Sequence, residues 1–335
     1  MTDRDSIRES LPDPAFFIVG TPRSGTTLVQ RLVCEISGVE VPAETHFFSS
    51  RWKGSTPYAA GLTRRRRFPL HGLELAEELQ IFKDLHTSKV LELDIDDITN
   101  RLGGRCDSVA QLFSAILWHL APSASIIGEK TPAHLQWWLP IATAWPRVRF
   151  IGVVRDPRAV ITSLQRVPWT TGSPAQQARR WAADQRELRR AASKLGERLM
   201  VVRYEDAVSD PDTIRKHLAS FLGVPYVRRS EDDVRRIMSP LQAEPWKERV
   251  QGAITAERID VWKESLAPPE ARRIASICRS QMRRFRYPVD DAWSLPAPAD
   301  LWRDLRLRIT RARRAAAARR LATAPTLTME RSRGA

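Results

Sequence analysis

One stretch limits what this chain can fold into more than any other: Phe16-Phe17-Ile18-Val19-Gly20-Thr21-Pro22-Arg23-Ser24-Gly25-Thr26-Thr27-Leu28. Four apolar residues end at a glycine, a short polar turn follows, and a second glycine opens a segment with helical periodicity. Leu28, Val29, Leu32, Val33 and Ile36 fall on one face of that segment. The apolar run predicts a buried strand. Gly20 permits a tight turn, and Gly25 lets backbone amides approach a ligand with no Cβ in the way. The helix that follows aims its free N-terminal amides and the positive end of its dipole at the same point. Ser24, Thr26 and Thr27 add hydroxyls, and Arg23 adds a planar fork suited to an oxyanion. The segment is therefore expected to hold an anion.

The anion is not expected to be a magnesium-bound triphosphate. A triphosphate loop has the pattern G-x-x-x-x-G-K-[ST], in which the lysine reaches the terminal phosphates. Here Thr26 occupies the lysine position. A single terminal phosphate or sulfonate suits the loop better.

The rest of the chain repeats the strand-then-helix alternation. Short strands are expected at Val39–Val41, Ser125–Gly128, Val148–Val154 and Leu199–Val202. Cap-plus-proline signatures at Thr131-Pro132, Asp156-Pro157 and Asp210-Pro211 open helices, the first of them expected to run through Trp145. Further helices are expected at 108–120 with Ser108 as N-cap, at 176–195 and at 268–285, and Gly38 is expected to end the first helix. This order predicts an α/β fold: one P-loop-like domain with a short, mainly parallel central sheet and helices on both faces. Ligands in such sheets bind at the carboxyl ends of the strands. The domain is expected to span 14–292, with a disordered lead-in at 1–13 and a basic helical or disordered tail at 293–335.

A second anion grip is expected after the best strand, in Arg155-Asp156-Pro157-Arg158-Ala159-Val160-Ile161-Thr162-Ser163. An arginine at a strand end and a hydroxyl two helical turns later can hold one phosphate between them. The plainer alternative is that Arg155 pairs with Asp156 or Glu205. Tyr204, in Arg203-Tyr204-Glu205-Asp206, can offer a ring face to a base and a hydroxyl to a phosphate, or can simply be a core residue at a strand end.

The Thr21-Pro22-Arg23-Ser24-Gly25-Thr26-Thr27 loop resembles the 5′-phosphosulfate loop of sulfotransferases that use 3′-phosphoadenosine 5′-phosphosulfate (PAPS). The resemblance extends over residues 15–290 through five separated segments. It implies that Arg23, Ser24, Gly25, Thr26 and Thr27 hold the phosphosulfate. Arg155 and Ser163, eight residues apart as in that family, would hold the 3′-phosphate, with Tyr204 near the nucleotide. Trp246–Trp262 resembles the loop that closes over that phosphate. Where the family often has Arg-Lys-Gly, this chain has Arg249-Val250-Gln251-Gly252, so Lys247 and Arg249 are the candidates there. Glu44-Thr45 matches a base segment of tyrosylprotein and several bacterial sulfotransferases, which makes Glu44 the first candidate for general base and His46 the second. Lys130, in Gly128-Glu129-Lys130-Thr131-Pro132, is expected to stabilise the moving sulfuryl group, with Arg23 on the opposite wall. The plainer alternative is a pairing of Lys130 with Glu129 or Glu44.

Composition fits an anionic ligand and bears on the rival readings. The chain of 335 residues carries a net charge of +15, and residues 301–335 hold ten arginines against Asp304 and Glu330. Neither interleaved aromatics nor a helix-turn-helix signature accompanies the excess, so no nucleic-acid partner is expected. The tail is expected to be a solvated helix, with weak peripheral contact to anionic membrane as the minority alternative. The Arg64–Arg67 run is expected to be a solvated face. Cys34, Cys106 and Cys278 lie far apart, and the histidines lack ligand spacing, so no metal is expected. The first fifteen residues hold no apolar core segment, and a cytoplasmic protein is expected. A P-loop-type kinase without its lysine and a basic nucleic-acid-binding protein are the alternatives. The acceptor class stays open among carbohydrate, glycolipid, tyrosyl peptide and small alcohol, with residues 48–125 expected to form its pocket.

Overall fold

The computed structural model describes residues 11–52, 56–85, 91–239 and 252–289. The first ten residues, Lys247, Arg249 and the basic tail lie outside the described residues. Five strands form one sheet: β1 (Phe16–Gly20), β2 (Val39–Glu40), β3 (Ile126–Lys130), β4 (Arg149–Val154) and β5 (Leu199–Arg203). Their spatial order is β2-β3-β1-β4-β5, and every pairing is parallel. The chain therefore builds to one side of β1 first and then crosses to the other, which places the crevice of an open α/β sheet at the carboxyl end of β1.

All five residues of β1 are buried. Alternation along a strand sends neighbouring side chains to opposite faces. The Phe17 ring meets Phe113 and Phe150 at centroid distances of 5.8 and 5.9 Å, and Phe48 and Trp145 close the cluster. Phe113 belongs to α2 (Val109–Leu120), which is capped by the Ser108 hydroxyl as expected. On that same face α4 (Pro174–Leu195) lies close enough to Gly152 that any side chain there would strike Leu188. The helix α1 (Thr26–Cys34) packs on β1 and against α5 (Pro211–Leu222). A smaller core joins α3 (Pro157–Leu164), α4 and α6 (Pro268–Arg284) around Trp181, Ile274 and Met282.

Several local expectations need correction. The first helix stops at Cys34 with Glu35 as cap, a full turn before Gly38, because the Glu35 carbonyl and the Ser37 amide pair with the backbone of Arg229 and Val227 instead. The segment after Thr131 is a 3₁₀ turn (Pro132–Trp137) followed by a separate helix (Trp138–Ala144). The tight first turn lets His134 face the buried Glu129. The Arg64–Arg67 run is only half solvated: Arg65 and Arg66 both bind the buried Glu78, at 2.8 and 3.1 Å. Among the helices not foreseen is Ile95–Arg101, which Asp94 caps and whose first turn holds Asp96 and Asp97.

Candidate active site

Every strand of the sheet delivers a candidate residue at its carboxyl end. The phosphate-type loop follows β1, and the segment bearing Glu44 and His46 follows β2. Lys130 ends β3, Arg155 follows β4, and Tyr204 follows β5.

The loop geometry is under steric control. Gly25 has φ +94°, and a Cβ there would lie 2.4 Å from Cδ2 of Tyr204. Gly20 is equally confined, since its Cβ would lie 2.5 Å from the carbonyl oxygen of Val153. Between them Arg23 takes φ +71°, a conformation that costs a non-glycine residue energy and that clusters at functional sites. Thr26 then starts α1, so its first-turn amides face the loop. The Ser24 hydroxyl is fully buried and makes no hydrogen bond to the protein.

Lys130, at the end of the adjacent strand, brings an ammonium beside the loop. Its ammonium is completely buried, donates to Glu44 Oε1 at 2.5 Å, and lies 3.5 Å from Thr27 Oγ1. Of the two pairings open from the sequence, the one with Glu44 is formed. The second oxygen of Glu44 faces His46 Nε2 at 3.2 Å. His46, with φ +49°, is the second strained residue of the site. The carboxylate thus sits between a buried lysine and a half-exposed imidazole.

A buried network that sequence reasoning missed sets this geometry. Glu129 accepts from Thr45 Oγ1 at 2.9 Å, from Thr131 Oγ1 at 2.5 Å and from His134 Nδ1 at 2.8 Å. His134 Nε2 in turn accepts from the Phe48 amide, so the proton on the ring is the one given to Glu129. Burial opposes ionisation of Glu129, but His134, Thr131 and Thr45 together outweigh it and hold its carboxyl below the ordinary value of 4.5. Glu129 therefore fastens Thr45, next to Glu44, to the strand position next to Lys130. Gln30 of α1 adds a second tether by donating to the carbonyls of Val41 and Pro42. Phe47 and Phe48, buried among Phe113, Tyr58 and Phe82, anchor the far side of the same segment. The available signal was Glu129 itself, an acid that the strand pattern turns inward.

Arg155 and Ser163 stand at one cleft, and Arg155 does not take the plain pairing with Asp156 or Glu205. The Arg155 guanidinium lies 3.9 Å from the centroid of the Tyr204 ring and donates to the carbonyl of Arg258 at 2.9 Å. Its Nε is buried with no hydrogen-bond partner. Asp156 binds Arg158 instead, at 2.5 Å, and caps α3. Glu205 accepts from the Asp156 amide and from the Tyr287 hydroxyl. Burial pushes the Tyr204 phenol upward, with Arg155 opposing. Ser163 accepts from Arg23 Nε at 3.1 Å, which joins the two grips directly. Arg23, Arg155, Thr162 and Ser163 line one cleft together with Trp262. Arg249 lies outside the described residues. No group of three acids, histidines or cysteines that could hold a metal ion occurs among the described residues.

A model of the sulfotransferase family matches residues 14–228. The chain belongs to the sulfotransferase family. Among solved structures it resembles the sulfotransferase domain from the curacin biosynthetic pathway, with 21% identity over 84% of this chain and 100% of that one and a TM-score of 0.53. It resembles equally the sulfotransferase domain of the olefin synthase from Synechococcus PCC 7002, with 20% identity, 84% and 98% coverage and a TM-score of 0.53. No curated protein matches its sequence. At these identities the likeness extends to the fold. This sulfotransferase has no helix among the described residues long and apolar enough to cross a membrane.

Proposed function

We propose that this enzyme transfers the sulfuryl group of PAPS to a hydroxyl or amine acceptor by in-line displacement, with Glu44 as general base. The carrying observation is the junction of the two grips. The loop that would hold the phosphosulfate touches Lys130 through Thr27 on one side and Ser163 through Arg23 on the other.

In the proposed step the acceptor oxygen or nitrogen forms a bond to sulfur as the bond from sulfur to the bridging phosphate oxygen breaks. Glu44 takes the acceptor's proton, and adenosine 3′,5′-bisphosphate leaves with the electron pair. Charge spreads over the equatorial oxygens of the moving group and the bridging oxygen, as in phosphoryl transfer. Lys130, the hydroxyls of Thr26 and Thr27, and the first-turn amides of α1 are the groups able to oppose it. Lys130 serves the base and the moving group from one position, held by Glu44 at rest and within reach of the loop. His46 steadies the other carboxylate oxygen and is the second candidate for the proton. Arg155 and Ser163 would hold the 3′-phosphate, with Tyr204 beside them. The acceptor is a hydroxyl-bearing compound of the carbohydrate, glycolipid, tyrosyl-peptide or small-alcohol class. A magnesium-dependent kinase reading is not favoured, because Thr26 stands where a triphosphate loop has its lysine.

The test is calorimetric titration with adenosine 3′,5′-bisphosphate, followed by radiolabelled-sulfate transfer from PAPS to members of each acceptor class. Saturable binding and label transfer are expected. Absence of heat with the bisphosphate would refute the reading.

A further inference from the structure

The segment that carries Glu44 and His46 has no regular structure of its own: residues 41–48 lie in no helix or strand. Buried backbone amides in such a segment need partners from elsewhere. Four consecutive amides find them at one carboxylate, or one side chain away from it. The Thr45 amide donates to Glu129 Oε1 at 3.4 Å. The His46 amide donates to Thr131 Oγ1 at 3.1 Å, the Phe47 amide to Thr45 Oγ1 at 3.3 Å and the Phe48 amide to His134 Nε2 at 3.2 Å. Each of those three side chains donates in turn to Glu129, from Thr131 Oγ1, Thr45 Oγ1 and His134 Nδ1. Thr45, Glu129, Thr131 and His134 are all fully buried. A charged acceptor strengthens the bonds it receives, and bonds in a chain polarise one another. One carboxylate thus orders a stretch of main chain that has no ladder to join.

The ordering has a consequence at His46. This residue takes φ +49°, a conformation that costs a non-glycine residue energy. Its own amide is held by Thr131, and the amides on either side are held by Glu129 and Thr45. In that conformation its Nε2 stands 3.2 Å from Glu44 Oε2. We infer that Thr131 and His134 are positioning residues for the base. Each relays the charge of Glu129 to one amide of the segment, and together they hold His46 in the left-handed conformation that sets its imidazole against Glu44. The inference rests on the reading of Glu44 as general base.

The plainer role is structural: Thr131 and His134 would then only support the core. The experiment separates the roles by what each one moves. Wild type, Thr131→Val, Thr131→Ser and His134→Asn are compared in the full chain, well below the melting temperature of each. Valine keeps the shape of threonine without its hydroxyl, and serine keeps the hydroxyl. Asparagine keeps a donor for Glu129, but its shorter side chain leaves the Phe48 amide without an acceptor. Sulfuryl transfer from PAPS is followed with the acceptor found in the radiolabel screen. Thr131→Val and His134→Asn should lose about 10- to 100-fold in kcat while KM for PAPS and affinity for adenosine 3′,5′-bisphosphate stay unchanged. Thr131→Ser should recover most of the rate. Amide hydrogen exchange gives a second reading that needs no acceptor: residues 45–48 should exchange faster in Thr131→Val and His134→Asn, with β1 and β4 as protected as in wild type. Wild-type turnover in Thr131→Val overturns the inference, as does a loss that serine fails to restore, a matching loss of bisphosphate affinity, or unchanged exchange at residues 45–48. A wild-type chain that binds no bisphosphate refutes the PAPS reading instead, and the exchange comparison still decides the tether. His134→Asn keeps the test open if Thr131→Val does not fold.

Discussion

Gly25→Ala isolates the steric logic of the loop in a single methyl group. Two costs follow from the geometry. At φ +94° an alanine sits in left-handed backbone territory, where an L-residue loses about 1–2 kcal/mol. The added carbon would also stand 2.4 Å from Cδ2 of Tyr204, about 1 Å inside ordinary contact. The ring must move, and moving it disturbs the stack with Arg155, worth roughly 0.5–2 kcal/mol. Together these give a destabilisation on the order of 2–4 kcal/mol, measurable by chemical denaturation. Binding of adenosine 3′,5′-bisphosphate should weaken in parallel, because both grips share the displaced ring. Tyr204→Ala in the same chain removes the obstacle. The double variant should then be more stable than the sum of the two single effects by about 1 kcal/mol or more. Additivity to within about 0.5 kcal/mol would show that the ring does not confine the loop, and the account of Gly25 would fall.

Glu44→Gln should lower sulfuryl transfer by about 10²–10⁴-fold while keeping bisphosphate affinity. Lys130→Met should also slow transfer, and the double variant should be no slower than the worse single variant, since the pair acts as a unit; full turnover by Glu44→Gln would exclude it as base. Glu129 is held below its ordinary value of 4.5, so its contribution to stability is present above that value and is lost as pH falls through the depressed one. Glu129→Gln should therefore be less stable than wild type at neutral pH and show a shallower loss in acid, and acid denaturation curves that coincide would contradict the network. Cys34 and Cys106 are buried, and burial pushes both thiols up to about 12. The native chain should therefore resist thiol reagents at neutral pH, and rapid labelling of either residue would count against their burial.

The residues legible in advance were those whose role is local. The glycines of the loop, the Asp156 and Asp210 caps and the alternation of strands with helices each depend on a few neighbouring residues, and the structure contains them. The spacing of Arg155 and Ser163 along strand and helix also survives, because both stand where that spacing puts them, at one cleft. Illegible were the partners chosen across long sequence distances. Glu129 fastens Thr45 from 84 residues away, and Arg23 reaches Ser163 from 140. Nothing local marks Gln30 as the tether of the segment behind Glu44. The Arg64–Arg67 run misled for the same reason: a charge run is solvated only if no buried acid stands opposite, and Glu78 does.

The lysine missing from the loop accounts for much of the arrangement. A lysine at position 26 would extend from the first turn of α1 toward whatever the loop holds. Lys130 instead ends the neighbouring parallel strand, opposite Ile18 of β1, and is fully buried. A buried ammonium must be paired, since an uncompensated charge there costs several kcal/mol. Glu44 provides the pairing. The same step that moves the cation out of the loop thus ties it to a carboxylate, and that carboxylate belongs to the segment following β2, where an acceptor can approach. A triphosphate loop uses its lysine for the nucleotide alone. Here the ammonium meets both the loop, at Thr27, and the carboxylate of Glu44. On the proposed function, an anion arriving in the loop would compete with Glu44 for one ammonium, which would couple occupation of the donor site to the freedom of the proposed base. Glu129, with four donor groups around it from Thr45, Thr131 and His134, is what keeps that competition within reach, because it fixes the spacing of the two segments that carry the pair.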